Sequence, residues 1–163
     1  MINTNIEKEL NNQLNREFFS AYLYLSMAAY FEVENFKGFA HWMKVQAKEE
    51  ITHAMKFFDY IIEAGGKVIL TKIEKPKTTW GSVLEVFKDA YEHETKITNF
   101  VYEILNLSKN EKDYKTENFL QWFVREQVEE EAQTLEIVKK LEKIKDSFST
   151  LLVLDHHLSK REG

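Results

Sequence analysis

Glu50 and His53 stand three residues apart, a carboxylate and an imidazole that a helix would stack on one face and aim at a single point. Gln127 and Glu130 repeat that spacing late in the chain, and Glu17 and Glu94 stand alone in otherwise apolar helical patterns. Carboxylates mixed with imidazole suit iron, manganese or zinc. The chain has no cysteine, which excludes disulfides, zinc ribbons, thiolate-held iron–sulfur sites and cysteine nucleophiles in one step. Any redox or metal chemistry here must be done with oxygen and nitrogen ligands.

The elements that position these residues are helices. One proline and five glycines in 163 residues leave little material for turns. A first helix is expected from about Thr4 to Glu34, with Thr4 and Glu7 at capping-box spacing. A second runs from about Lys37 to Ala64 and stops at Gly65-Gly66. Ser82 with Glu85 opens a third, to about Ser108, and a fourth spans about Tyr114 to Ile144. Asp146 and Ser147 would cap a short fifth helix ending near Ser159. Lys67 to Trp80 holds the single proline, Pro76, and a β-like run, Val68-Ile69-Leu70. Helices of about 28 residues are roughly 42 Å long, and a linker of about 15 residues reaches roughly 50 Å. The linker can therefore run the length of a bundle and make the second and third helices parallel. The expected fold is all-α: one domain over residues 1–163, a four-helix bundle (about 4–144) with one long crossover, plus the fifth helix (about 147–159).

Each helix carries an apolar seam with residues alternately three and four apart. The seams read Leu10, Leu14, Glu17, Ala21, Tyr24 in the first helix and Met43, Gln46, Glu50, His53, Phe57 in the second. In the third they read Phe87, Ala90, Glu94, Ile97, and in the fourth Phe123, Gln127, Glu130, Thr134. The polar interruptions cluster near the helix midpoints, close to Phe19, Ile51, Thr95 and Glu129. A midpoint keeps its height whichever way a helix runs, so four interrupted seams predict one polar layer across the core. Four buried glutamates with no lysine or arginine on any seam cannot all stay ionised. They must take up protons, or divalent cations must enter, and two such cations balance four carboxylates.

Composition narrows the partners. With 22 basic and 27 acidic residues the net charge is −5, which argues against nucleic acid or an anionic membrane held by bulk electrostatics. No apolar run is long enough to span a bilayer, and the first residues lack a secretory pattern. A cytoplasmic location is the expectation.

The segments Asn15-Arg16-Glu17 with Tyr24, Phe39-Ala40-His41-Trp42-Met43, Glu49-Glu50-Ile51-Thr52-His53-Ala54, His93-Glu94 and Trp122 through Glu131 resemble the ferritins, specifically the non-haem ferritins of bacteria and archaea. The resemblance covers essentially the whole chain. It implies a di-iron ferroxidase centre in which Glu17, Glu50 and His53 hold one iron and Glu50 bridges to a second, completed by Glu94 and Glu130 with Gln127 beside it. It further implies a third, weaker iron site at Glu49, Glu126 and Glu129 with Glu130 shared, and a tyrosine, Tyr24, that supplies an electron or a hydrogen bond. No haem is expected, because Ile51 stands where the haem-binding branch carries a methionine. The implied function is oxidation of Fe(II) by dioxygen or peroxide and storage of the ferric product as a mineral. The container would be a hollow homo-oligomeric shell of about 24 subunits.

Simpler readings stand beside these. Tyr24 fits a buried core tyrosine, Trp42 and Trp122 fit packing, and Glu126, Glu129 and Glu131 fit solvated helix charges. His41 and His93 fit hydrogen bonding or solvent exposure, and His156 and His157 fit either packing or contact between subunits. The competing function is a di-iron oxidase or oxygenase without storage. It needs a pocket to the metals, for which Ala21, Ala28 and Ala90 are the small residues available. A non-enzymatic helical protein with a register-fixing polar layer is the second alternative.

Overall fold

A computed structural model of the chain describes residues 1–163. The helices are α1 (Thr4–Val33), α2 (Lys37–Glu63), α3 (Val83–Asn110), α4 (Tyr114–Ile144) and α5 (Phe148–Leu158), with no strand. This is the expected bundle, and its helix ends follow from local chemistry. Asn35 (φ 62°), Gly65 (φ 80°) and Lys112 (φ 56°) adopt the left-handed conformation that ends a helix. After each, an N–H returns to a carbonyl of the last turn: Phe36 to Phe31 at 2.9 Å, Gly66 to Ile61 at 2.8 Å and Asp113 to Ser108 at 2.8 Å.

The start of α1 differs from the sequence expectation. Asn3, not Thr4, is the cap, its Oδ1 accepting from the N–H groups of Asn5 and Ile6 at 2.8 and 3.4 Å. Glu7 is thereby released, and its carboxylate accepts from the N–H of Lys67, pinning the start of the crossover. Ser82 does cap α3, its Oγ accepting from Glu85 N–H at 3.1 Å, while Glu85 reaches the N–H of Gly81 at 2.9 Å.

Val68-Ile69-Leu70 finds no partner strand, so side chains of α1 satisfy this stretch instead. Ile69 N–H donates to Asn11 Oδ1 at 2.7 Å, and Asn11 Nδ2 donates to Lys67 O at 2.9 Å. Asn15 donates to Lys72 O at 3.1 Å and Ser26 to Lys77 O at 2.6 Å. These contacts climb α1 as the crossover advances, so it runs parallel to α1 and delivers α3 parallel to α2.

The apolar core is in two parts. One, toward the α1–α2 turn, holds Phe31, Phe39, Met43 and Phe87 and is covered by Trp80 and by Leu154 and Leu158 of α5. The other, toward the α3–α4 turn, holds Leu10, Leu14, Phe57, Ile61 and Phe123. α5 sits directly on the start of α2: a Cβ at Gly38 would lie 1.7 Å from Asp155 O, so only glycine allows the approach. Phe36 gives α2 no side-chain cap, and Asp155 Oδ1 accepts from Phe39 N–H at 2.8 Å in its place. No helix is long and apolar enough to cross a membrane.

Candidate metal centre

The gap between the two apolar parts is filled by the polar layer. Glu17 of α1, Glu50 and His53 of α2, Glu94 of α3 and Gln127 and Glu130 of α4 are all between 1 and 3 % exposed. Each helix delivers its member at mid-length, where the seam pattern places it. Ligand atoms come within 4.8 Å of one another in three sets: Glu17, Glu50 and His53; Glu50, Glu94 and Glu130; and His53, Glu126 and Glu130. Glu50 belongs to the first two sets and so can bridge them.

His53 Nδ1 lies 3.1 Å from Glu50 Oε2 and 3.9 Å from Glu17 Oε2. Gln13 Nε2 donates to Glu17 Oε1 at 2.7 Å, but Glu17 Oε2 is buried with no hydrogen-bond partner. An unpartnered buried carboxylate oxygen is costly unless something binds it. Gln46 Nε2 donates to Glu130 Oε2 at 2.6 Å and to Glu50 Oε1 at 3.1 Å. Tyr24 Oη donates to Glu94 Oε1, and Gln127 Nε2 donates to Glu94 Oε2 at 3.1 Å and to Thr98 Oγ1 at 3.2 Å.

The electrostatics follow from this crowding. Burial first, and then the neighbouring Glu50 charge, pushes Glu17 well above the ordinary carboxylate range. Burial, with Glu94 and Glu130 adding repulsion, does the same to Glu50. Glu94 is raised by burial against the opposing bonds from Tyr24 and Gln127. Glu130 is raised to about 8 by burial and by Glu94. Without a cation Glu130 therefore keeps its proton at neutral pH, and burial pushes the other three carboxylates the same way. Divalent cations would exchange for those protons, and an oxygen-rich set with one imidazole suits iron.

The remaining sequence candidates are placed differently. Tyr24 is fully buried against Glu94, so its hydroxyl belongs to the layer. Glu126 is half-buried, with Oε1 3.6 Å from His53 Nε2. Glu49 turns away to Arg161, at 3.0 Å, and Glu129 is exposed; neither joins a ligand set. Trp122 packs, as expected, but edge-on against His53 with ring centres 5.5 Å apart. His93 Nε2 lies 2.7 Å from Ser20 Oγ, and burial lowers its ring to about 4. His156 and His157 are exposed on α5. Gln13, Gln46 and Arg161 escaped the sequence reading as members of the site. The two glutamines had a signal, since each lies four residues before a buried glutamate, one helical turn away.

A family model described as a ferritin-like domain matches residues 7–144. The chain is 44% identical over 161 residues to a bacterial non-heme ferritin of Bacteroides fragilis, covering 99% of this chain and all of that protein. It is 40% identical to a bacterial non-heme ferritin of Staphylococcus epidermidis, covering 99% of this chain and 97% of the relative. Among solved structures, an open pore ferritin from the hyperthermophilic archaeon Archaeoglobus fulgidus superposes with a TM-score of 0.99 at 49% identity, covering 99% of both chains.

Proposed function

The chain belongs to the ferritin family, in its prokaryotic non-haem branch, and from that premise we propose that it oxidises Fe(II) and stores the ferric product as a mineral. The observation that carries the reading is the pair of buried ligand sets sharing Glu50, with Glu17 Oε2 left without any other partner. About two substrate Fe(II) ions per chain would be held, one by Glu17, Glu50 and His53 and the other by Glu50, Glu94 and Glu130. Glu50 is the bridging ligand. Each ion gives one electron to dioxygen or peroxide, and the protons displaced from the buried carboxylates are available to the reduced oxygen. Hard carboxylate ligands favour the ferric product and so help drive the step.

Gln127 and Tyr24 hold Glu94 in place, and Gln13 and Gln46 hold Glu17, Glu50 and Glu130. Glu126, beside His53 and Glu130, is the way on from the centre. With Glu129 and a released Glu49 it would form the weaker third site. Storage needs a container, and residues 1–163 would serve as one ferritin-like unit of a homo-oligomeric cytoplasmic shell of about 24 copies. The net charge of −5 suits an inward flow of cations. The oxidase alternative is disfavoured because Ala21, Ala28 and Ala90, at 2, 2 and 0 % exposed, are themselves packed in and open no pocket.

An aerobic Fe(II) titration followed by near-ultraviolet ferric absorbance tests the proposal. Fast oxidation of about two irons per chain, continuing to large soluble loads, is the expected result. A burst that stops there with precipitation would leave a di-iron oxidase instead.

A further inference from the structure

The residues after α5 turn back along α2 and end at the polar layer. His41 Nε2 lies 2.6 Å from Arg161 O. The Arg161 guanidinium stacks 4.3 Å from the Trp42 ring centre, and its Nη1 donates to Trp42 O at 3.3 Å. Its Nη2 donates to Gln46 Oε1 at 2.9 Å and to Glu49 Oε2 at 3.0 Å. The side chain is only 14% exposed.

A guanidinium only donates, so Gln46 must turn Oε1 toward it. That leaves Nε2 facing Glu130 and Glu50, where it donates to both. We propose that Arg161 is a positioning residue of the metal centre: it fixes the Gln46 amide and, through it, the Glu50 and Glu130 carboxylates. The inference rests on those carboxylates binding metal. Without Arg161 the amide can rotate and take Nε2 away from both carboxylates, which in their ionised, metal-binding form repel the Oε1 that replaces it. Trp42 braces the guanidinium, and the Gly38–Asp155 contact fixes α5, so the donor arrives prealigned. The same nitrogen holds Glu49 outside the buried ligand sets.

The test is an anaerobic Co(II) titration of the assembled protein, reading affinity and visible-band positions. Wild type is compared with Arg161→Ala, Arg161→Met, Gln46→Ala and the Gln46→Ala/Arg161→Ala double variant, with thermal unfolding recorded for each. Wild type should bind about two Co(II) per chain, and Arg161→Ala should weaken binding about tenfold, the scale on which partners of metal ligands act, with shifted bands. Arg161→Met keeps the stem against Trp42 without the donors, so it should melt like wild type and still lose affinity. If Arg161 acts through Gln46, adding Arg161→Ala to Gln46→Ala costs nothing further. Wild-type affinity and bands in Arg161→Met overturn the proposal, as does full additivity in the double variant. Wild type that binds no Co(II) overturns the metal reading itself.

Discussion

The two sides of the polar layer hold their carboxylates differently. On the α1–α2 side, Glu17 has one oxygen bonded to Gln13 and the other bare, facing His53. On the α3–α4 side both oxygens of Glu94 are taken, by Tyr24 and Gln127, and Glu130 is held by Gln46. A cation arriving on the first side meets an oxygen with no hydrogen bond to give up, only the proton that burial favours there. On the second side it must displace hydrogen bonds as well as protons, each bond worth about 0.5–1.5 kcal/mol. The positions are therefore unequal by construction, and the first should fill before the second.

The largest effect should come from erasing the comparison altogether. Glu50→Ala removes the ligand common to both sides, and fast Fe(II) oxidation should fall at least about 1,000-fold in stopped flow. Circular dichroism should show the helices intact, because a costly buried carboxylate has gone. Next in size is metal binding by the intact layer. The raised carboxylates bind protons in the folded state that the unfolded chain releases near 4.5, and Glu130 keeps its proton to about 8. Glu130's stabilising contribution is complete below pH 4.5 and is lost as pH rises through about 8, and the other three carboxylates act in the same direction, so metal-free protein should become steadily less stable over that window. Co(II) or Zn(II) at about 1,000 times its Kd should restore about 4 kcal/mol and flatten the pH dependence in thermal scans.

Single-sided variants then sharpen the contrast. Glu17→Gln should weaken the first Co(II) bound by about 100-fold in calorimetry, while Glu94→Gln should spare the first ion and weaken the second by a similar factor. Equal loss of both ions in either variant would refute the ordering. The smallest effect belongs to Tyr24→Phe. Freeing Glu94 Oε1 should narrow the gap between the two binding steps by up to about tenfold, read from the same titrations.

The bundle, its crossover and the height of the polar layer were legible because helical periodicity and midpoint position are properties of the sequence. Glu17, Glu50, His53, Glu94 and Glu130 stood out as charges on apolar seams. Gln13 and Gln46 were harder to recognise, since an amide on a seam looks like a weak interruption and its function depends on which way it points. Arg161 left no local trace: Gln46 is 115 residues away, and only the docking of α5 brings them together. That docking needs Gly38, where any Cβ would run into Asp155 O, and nothing near Gly38 in the sequence marks what it faces. The α1 cap was misplaced by one residue because Asn3 and Thr4 are both good caps, and the choice fell to Glu7's long-range use at Lys67.

The layer also divides the protein mechanically. No apolar residue is shared between the core beneath α5 and the core around Leu10 and Phe57, so what joins the two ends, apart from the helix backbones, is a plane of charged and amide groups. Hydrogen exchange on the metal-free protein should then show the two ends opening as separate units. Ions held by the two ligand sets that share Glu50 would tie α1 to α2 and α2 to α3 and α4 across that plane. The cargo would then also be what makes the chain a single cooperative body, and a loaded chain should resist unfolding from either end.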